Sequence, residues 1–415
     1  MSPSPRAVVV LGVVALSALA VPPLLAVLAA LALLGALAVD VAAARRPPTV
    51  ERQVPTVMAR GVPAPLVLEG RSPGATVALR QPVPPDLRVE PTDGEGRLDA
   101  SLTPLRRGRH VLPAPAARTI GPLGLGRWDH RVGEPVEVAV YPDLPAARRL
   151  ATAVRFGQLR EQGRLTRGAL GLGTDFESMR DYSPDDDIRQ VNWRATARLE
   201  RPMSNQYRLD QDRDVLCVVD CGRLMTAPVT LRTTRLDVAL DAVAAVAMVA
   251  DEVGDRCGAV AFDAAIRRQL RPRRAGGRGV VDALFDLEPT SVDSDYELAF
   301  HTVGGAKRSL VLVLTDLLEE SAARPLVDAV PVLARRHVVV VAGMTDLDLA
   351  GLLRTPPSSR ADAYAASVAV DVLEAREAVV DQLQAAGAEV VEAPPAGLAR
   401  ACVGAYLRMK AMARL

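Results

Sequence analysis

The chain has 415 residues, about half of them hydrophobic, with 50 basic and 49 acidic side chains. That length predicts two or three domains with sizeable cores, and the near-zero net charge excludes a general affinity for nucleic acid. Four cysteines, Cys217, Cys221, Cys257 and Cys402, form no Cys-x-x-Cys pair and have no His at a zinc spacing, so they read as free thiols in a reducing compartment.

The first elements are apolar. Val8 to Val39 would make one helix of roughly 48 Å at ~1.5 Å per residue, too long for a ~30 Å hydrocarbon core. Pro22-Pro23 divides the run and predicts a transmembrane helical hairpin over residues 1–45. Each half is short for a full span, so thinning or anchoring must help. Arg6 precedes the pair and Arg45 and Arg46 follow it, which places both flanks, and the bulk of the chain, in the cytoplasm. A single tilted span is one alternative. A signal peptide cleaved at Ala18–Ala20 is another, but it leaves Leu24 to Val39 without a place in a mature secreted protein.

Residues 46–143 change character. Short alternating runs such as "PLVLEG", "TVALRQP" and "PVEVAVYP" are separated by Gly and Pro, which predicts a small β-sandwich. His110 and His130 stand alone at strand positions and read as packing or surface residues. Residues 144–214 form a linker: an imperfect helical stripe from Leu144 to Gly163, then the charged run "GTDFESMRDYSPDDDIRQVNWRATARLERPMSNQY".

From 215 to 415 strands and helices alternate. Strands are expected at Val215–Asp220, Ala259–Asp263, Leu310–Asp316, Val338–Ala342 and Glu389–Glu392. Helices are expected at Leu236–Val253, Val280–Leu287, Tyr296–Val303, Pro325–Arg335, Ala363–Ala386 and Leu398–Leu415. Unbroken aliphatic strands suit a parallel sheet covered on both faces, so the fold class is α/β with a doubly wound, mostly parallel sheet. Asp220 and Asp316 end strands, where such sheets place ligands. Arg267, Arg268, Arg271, Arg273, Arg274 and Arg278 read as a basic β-hairpin-like loop, solvated or in contact with anionic headgroups, not as a nucleic-acid site.

The charged run closely resembles the hallmark of the bacterial domain of unknown function 58 family, at Phe176, Arg180, Tyr182, Asp186, Asp187, Arg189, Asn192, Trp193, Ala197 and Arg198. The upstream "PLRRGRHVLPAPAARTIGPLGLGRW" is similar to the same family's Arg-Gly-Arg hairpin and Pro-Leu-Gly-Leu segment. The resemblance implies a von Willebrand factor A-like α/β domain. That fold often carries a metal-ion-dependent adhesion site: Asp-x-Ser-x-Ser after the first strand, a Thr on a second loop and a later Asp. Mg²⁺ needs hard oxygen ligands in octahedral geometry. Here Asp220, Ser294 and Asp316 match, but Gly222 and Leu224 replace both serines. No metal and no cofactor are therefore expected. Asp220 and Asp316 are expected to accept loop N–H bonds or to pair with Arg223.

The charged run supplies no nucleophile–base pair, and only His301 and His337 lie in the α/β part. It reads as a salt-bridged plug around a packed Trp193, with partner contact as the alternative. The chain is thus expected to be a membrane-anchored, non-catalytic interaction protein. The resemblance implies a MoxR-type AAA+ ATPase as partner, in a chaperone or assembly role, meeting the face marked by Asp220, Ser294 and Asp316. A metal-dependent adhesion or ligand-binding receptor is the alternative. A phosphatase-like enzyme is disfavoured because no Asp-x-Asp follows the first strand.

Overall fold

The computed structural model describes residues 2–17, 22–156, 160–161, 164–165, 170–183, 191–208, 213–305, 307–316 and 320–412. The chain divides into two units, Met1–Val140 and Tyr141–Leu415.

The first unit opens with a short strand β1 (Ser2–Pro3) and two apolar helices, α1 (Pro5–Ser17) and α2 (Pro23–Ala44). Pro22 caps α2 and Pro23 begins it, a position where the missing N–H leaves nothing unpaired. Leu24–Ala44 is 21 residues long with a mean hydropathy of 2.6, long and apolar enough to cross a membrane, while α1 is shorter. Ala18–Ala20, the alternative cleavage site, lies outside the described residues.

Eleven strands follow: β2 (Thr49–Gln53), β3 (Val57–Ala59), β4 (Ala64–Arg71), β5 (Thr76–Arg80), β6 (Leu87–Glu90), β7 (Asp93–Glu95), β8 (Arg97–Pro104), β9 (Gly108–Leu112), β10 (Ala116–Ile120), β11 (Gly126–Arg131) and β12 (Val136–Tyr141). They form sheets ordered β1-β11-β10-β5-β7, β2-β4-β8-β6 and β3-β12-β9. Alternate residues of all three sheets, among them Leu66, Leu79, Leu98, Leu112 and Val138, enter one core.

The β10–β11 turn, "GPLGLG", receives the end of α2. Asp40 is fully buried there, and its carboxylate accepts the N–H groups of Leu123 (2.6 Å), Leu125 (2.7 Å) and Gly126 (2.7 Å). A side chain at Gly121 would meet Asp40 at 2.3 Å, and one at Gly126 would meet Val41 at 2.5 Å. The same turn holds the start of α1, since the Ser4 hydroxyl donates to the Gly124 carbonyl at 2.5 Å. Nearby, Thr119 donates to the Ala44 carbonyl, the His130 ring lies 3.1 Å from that same oxygen, and the Arg45 guanidinium lies 5.4 Å from the Trp128 ring centroid. An acid inside an apolar helix would be costly in hydrocarbon; here its negative charge is matched by backbone dipoles.

The second unit begins with α3 (Leu144–Arg155), N-capped by Asp143. The helix is shorter than its predicted end at Gly163: Val154 is its last buried residue, Phe156 is exposed, and Arg160–Glu161 (β13) pairs with Arg164–Leu165 (β14) instead. A ribbon of β15 (Leu170–Asp181) and β16 (Met203–Arg208) follows, with α4 (Trp193–Leu199) between them.

The remainder is a six-stranded sheet with helices on both faces. Its elements are β17 (Asp214–Asp220), α5 (Arg235–Glu252), β18 (Arg256–Phe262), β19 (Ile266–Arg274), α6 (Gly277–Leu284), α7 (Tyr296–Gly304), β20 (Ser309–Leu314), α8 (Glu320–Ala334), β21 (Val338–Met344), α9 (Leu347–Arg354), α10 (Arg360–Ala385), β22 (Glu389–Ala393) and α11 (Leu398–Ala411). The strand order is β19-β18-β17-β20-β21-β22, parallel from β18 to β22. Most of the basic stretch read as a β-hairpin-like loop is β19, the antiparallel edge strand paired with β18, and Arg278 lies in α6. Val215, Cys217 and Val219 pack towards α5, α6 and α11, while Leu216 and Val218 pack towards α7, α8 and α10. Asp255, fully buried ahead of β18, accepts from Lys410 Nζ at 2.6 Å and from the Tyr406 hydroxyl, which fastens α11 to the sheet.

Two predictions follow from these contacts. Asp40→Leu raises the hydropathy of α2 yet strands two buried N–H groups, those of Leu125 and Gly126, and removes a part-buried bond from Leu123, so thermal or denaturant unfolding of the first unit is expected to weaken by about 2 kcal/mol. His337, at the entry to β21, is 5% exposed with neither ring nitrogen hydrogen-bonded, and burial followed by the nearby Arg336 lowers its pKa. The folded chain therefore resists a proton that the unfolded chain accepts. Stability falls as pH drops below the ordinary value near 6.5, by at most about 1.4 kcal/mol per pH unit. Unfolding midpoints at pH 7.5 and 5.5 are expected to differ more for the native chain than for His337→Gln.

Candidate functional site

The sheet changes winding direction between β17 and β20, because the chain runs outward from β17 through β18 to one edge and from β20 to the other. The crevice beyond the carboxyl ends of these two strands is where an open α/β sheet receives a ligand. Asp220 ends β17 and is 1% exposed. Its Oδ1 accepts the Gly222 N–H at 2.8 Å and the Ser294 hydroxyl at 2.5 Å. Its Oδ2 accepts the Tyr296 and Thr315 hydroxyls, both at 2.7 Å, and these two lie 2.7 Å from each other. A carboxylate has about four lone-pair sites, and four protein donors use them.

Each donor is held in place. Ser294 and Tyr296 flank Asp295, the N-cap of α7, whose carboxylate accepts the Leu298 N–H at 2.9 Å. The Tyr296 ring is set edge-on to Phe262, with centroids 5.3 Å apart. Burial, then the charge of Asp220, raises the Tyr296 hydroxyl well above its usual pKa, so it remains a donor. The loop after β17 is tied down by Arg223 N–H to the Val292 carbonyl at 2.8 Å and Thr290 N–H to the Cys221 carbonyl at 2.7 Å. Beside it, Asp263 is partly desolvated, but the Ala265 N–H, Arg267 at 2.7 Å and Thr290 at 3.1 Å hold its pKa below the usual range.

Gly222 is compulsory in this arrangement. A Cβ there would lie 2.1 Å from the Ser294 hydroxyl and 2.8 Å from the Val292 carbonyl. Leu224 sits half-buried in the single 3₁₀ turn Arg223–Thr226. Asp316, also 1% exposed, forms a buried ion pair with Arg235, the first residue of α5, whose other terminal nitrogen reaches Asp346 at 3.3 Å. Burial lowers the Arg235 pKa while Asp346 opposes that effect. The expected pairing with Arg223 is not seen, because Arg223 turns outward to Asp293 at 3.0 Å.

These residues do not fit a Mg²⁺ site. The first carboxylate is saturated by donors, the later one faces a guanidinium, and no hydroxyl stands at 222 or 224. The arrangement immobilises three loops; it leaves no lone pair of Asp220 for a substrate proton. Tyr296, Thr315, Arg235 and Asp346 were not singled out from the sequence. The one local signal was Thr315 immediately before Asp316.

The charged run lies apart from this crevice. Asn192 caps α4, accepting the Ala195 N–H at 2.9 Å, and its amide donates to Asn205 of β16 at 2.9 Å. Arg180 and Tyr182 lie at the end of β15 and just beyond it, and Phe176 lies within that strand. Asp186, Asp187 and Arg189 lie outside the described residues. Trp193 is not the packed centre of a plug: it is 67% exposed, with Arg194, Ala197 and Arg198 exposed beside it and Met179 46% exposed on β15. Seven residues make α4 too short to bury an apolar face.

The structure thus defines a mixed α/β chain with a crevice closed by its own hydrogen bonds and an exposed tryptophan arm. Residues 178–379, just under half of the chain, match the family described as "Protein of unknown function DUF58". Uncharacterised proteins of Mycobacterium tuberculosis and Mycobacterium bovis are 27% identical over 158 residues, which is 36% of this chain and 48% of theirs. The chain spans about half the length of the curated relatives it matches. A crystal structure described as an uncharacterised membrane-spanning protein from Vibrio fischeri is 14% identical, covering 49% of this chain and 100% of that one, at a TM-score of 0.16, below the level at which a shared fold follows.

Gly222→Ser restores the hydroxyl that an adhesion-type metal loop would have. It is expected to lower stability by about 1–3 kcal/mol through overpacking against Ser294. Isothermal titration of the same variant with Mg²⁺ is expected to show no gain in affinity over the native chain.

Proposed function

We propose that this chain is a non-catalytic, membrane-anchored protein of the domain of unknown function 58 family, working as an interaction module. The observation that carries the reading is the contrast at the strand ends and the arm. Asp220 and Asp316 are fully engaged inside, while Trp193 stands 67% exposed in the family-matched stretch with Arg194 and Arg198 beside it. Trp and Arg are among the residues that dominate binding energy at protein interfaces.

The partner is a MoxR-type AAA+ ATPase, as the family resemblance implies, in a chaperone or assembly role. The strand order and the position of Asp220 support a von Willebrand factor A-like, doubly wound domain whose metal loop has become a hydrogen-bonded loop. The face over that loop offers the partner Arg223, Val292 and Asp293, since Asp220 and Asp316 themselves are buried. The receptor alternative loses its support with the Mg²⁺ ligands.

The anchor is a helical hairpin. This is supported by contact between α1 and α2, and by the grip of one turn, β10–β11, on both Ser4 and Asp40, which brings both open ends of the pair to one side. Arg6, Arg45 and Arg46 make that side the cytoplasm.

Trp193→Ala and the double change Arg194→Glu/Arg198→Glu alter only exposed side chains, so unfolding midpoints are expected to stay put. Capture of a MoxR-type ATPase of the same organism by the full chain in nanodiscs is expected to weaken by at least about tenfold for each. Equal capture by the variants, or none by the native chain, overturns the reading.

A further inference from the structure

The β10–β11 turn, residues 121–126, grips both apolar helices, and its height along α2 follows from the contacts. The Ala44 carbonyl accepts from Thr119, which stands opposite Trp128 in the β10–β11 pairing. Asp40, one helical turn earlier, meets the turn itself at Leu123, Leu125 and Gly126. At ~1.5 Å per residue the strands climb α2 by roughly 6 Å from the Ala44 level to the turn, towards the residues that precede Asp40. Those residues are exposed and apolar, with Val39 67% and Leu34 56% exposed. The tip of the turn therefore points along α2 into the layer that α2 crosses.

The tip is apolar and its backbone is closed. Pro122 and Leu123 are exposed, Leu123 at 55%, and Leu125 behind them is buried. Pro122 has no N–H, and every other N–H from Gly121 to Gly126 has an acceptor. Gly121 donates to the Gly126 carbonyl at 3.0 Å and Gly124 to the Gly121 carbonyl at 2.9 Å, while Leu123, Leu125 and Gly126 donate to Asp40. The Gly124 and Leu125 carbonyls in turn accept from the hydroxyl and the N–H of Ser4. A turn in water has no need of this completeness, because water pairs whatever the protein leaves open; backbone against hydrocarbon does need it. The Pro122 and Leu123 carbonyls accept no hydrogen bond among the described residues, which keeps the tip at the hydrocarbon boundary, where water still reaches.

Basic and aromatic residues gather at the same level. Arg6, in the first turn of α1, is exposed beside Gly124, where a Cβ would lie 3.1 Å from its guanidinium. Arg45 follows Ala44 and lies 5.4 Å from the Trp128 ring centroid. Arg and Trp in this position are the anchors of a membrane–water interface.

We propose that the β10–β11 turn is a lipid-contacting wedge. Pro122 and Leu123 enter the acyl-chain boundary of the leaflet in which α1 starts and α2 ends, and Arg6, Arg45 and Trp128 lie in its headgroup layer. The ligand is the bilayer, through its acyl chains, and the inference rests on the reading of α1 and α2 as a membrane anchor. Asp40 gains a second task here: its two oxygens supply the acceptors that let the turn's backbone leave water.

The test uses the full chain in phosphatidylcholine nanodiscs, with one introduced cysteine at a time carrying a polarity-sensitive fluorophore. The four native cysteines are buried, so the probe marks the introduced one. Leu31→Cys, roughly 13 Å from Asp40 along α2, reports the anchor. Leu123→Cys and Pro122→Cys report the turn, and both positions are exposed, so neither label displaces packed atoms. Glu134→Cys, exposed in the β11–β12 turn at the far end of β11, reports water. The lipids carry a nitroxide quencher either beside the acyl carbonyl or near the chain end. Leu31→Cys is expected to lose most emission to the chain-end quencher. Leu123→Cys and Pro122→Cys are expected to be blue-shifted relative to Glu134→Cys and to lose more emission to the carbonyl-proximal quencher than to the chain-end one. Glu134→Cys is expected to lose emission to neither. Quenching at residue 31, with residues 122 and 123 quenched no more than residue 134, overturns the wedge and leaves the anchor standing. No quenching at residue 31 overturns the anchor and the wedge with it.

Discussion

Four donors on one buried carboxylate organise the second unit. The Asp220 oxygens draw in the N–H of Gly222, the hydroxyls of Ser294 and Tyr296 ahead of and at the start of α7, and the hydroxyl of Thr315 beyond β20. A charge buried without partners would cost several kcal/mol, so these donors are a condition for placing Asp220 at the sheet's centre at all. Satisfying them fixes the approach of α7 to the sheet and makes residue 222 a glycine. The same bonds occupy the lone pairs that a metal or a substrate would need. Structure and chemistry are opposed here: the tighter the loops are bound, the less the carboxylate can do.

That opposition moves any recognition outward. At the crevice the exposed residues are Arg223, Val292 and Asp293, which lie over the closed network instead of within it. On the β15–β16 ribbon, Asn192 is committed to capping α4 and to Asn205, which positions Trp193 without enclosing it. At the sheet's edge, a bulge sets Arg271 and Pro272 together opposite Gly258, where only glycine fits. In the first two cases a polar residue with a local structural task sets the direction of a neighbour that has none.

Much of the fold was legible in the sequence because its signals are local. Unbroken aliphatic runs located β17, β20 and β21 to within a few residues, and the pairing of helical and strand periods gave their alternation. β19 was missed because its Arg-rich text lacks the apolar alternation of a strand; as an edge strand it needs only one partner and tolerates charge. The end of α3 was overestimated because the apolar spacing runs on in the sequence past Arg155, where the helix ends with Val154 as its last buried residue. The candidate site was legible only in part. Asp220, Ser294 and Asp316 were visible as strand-end and loop positions, but the Arg235 ion pair is formed across 81 residues and leaves no periodic trace.

The buried acids in this chain follow one physical rule. Asp40, Asp220 and Asp255 are each a buried acceptor whose donors lie 83 to 86, up to 95 and up to 155 residues away, respectively. The donor types differ with the surroundings. Asp40 takes backbone N–H groups from a turn whose small residues let the chain close around it, Asp220 takes mostly hydroxyls, and Asp255 takes an ammonium and a phenol. An acid at the end of an apolar run therefore carries little information about chemistry by itself. What discriminates is whether enough donors converge on it to fill both oxygens, and at Asp220, where two of the four come from one three-residue stretch, Ser294–Tyr296, the convergence is complete enough to make a metal redundant.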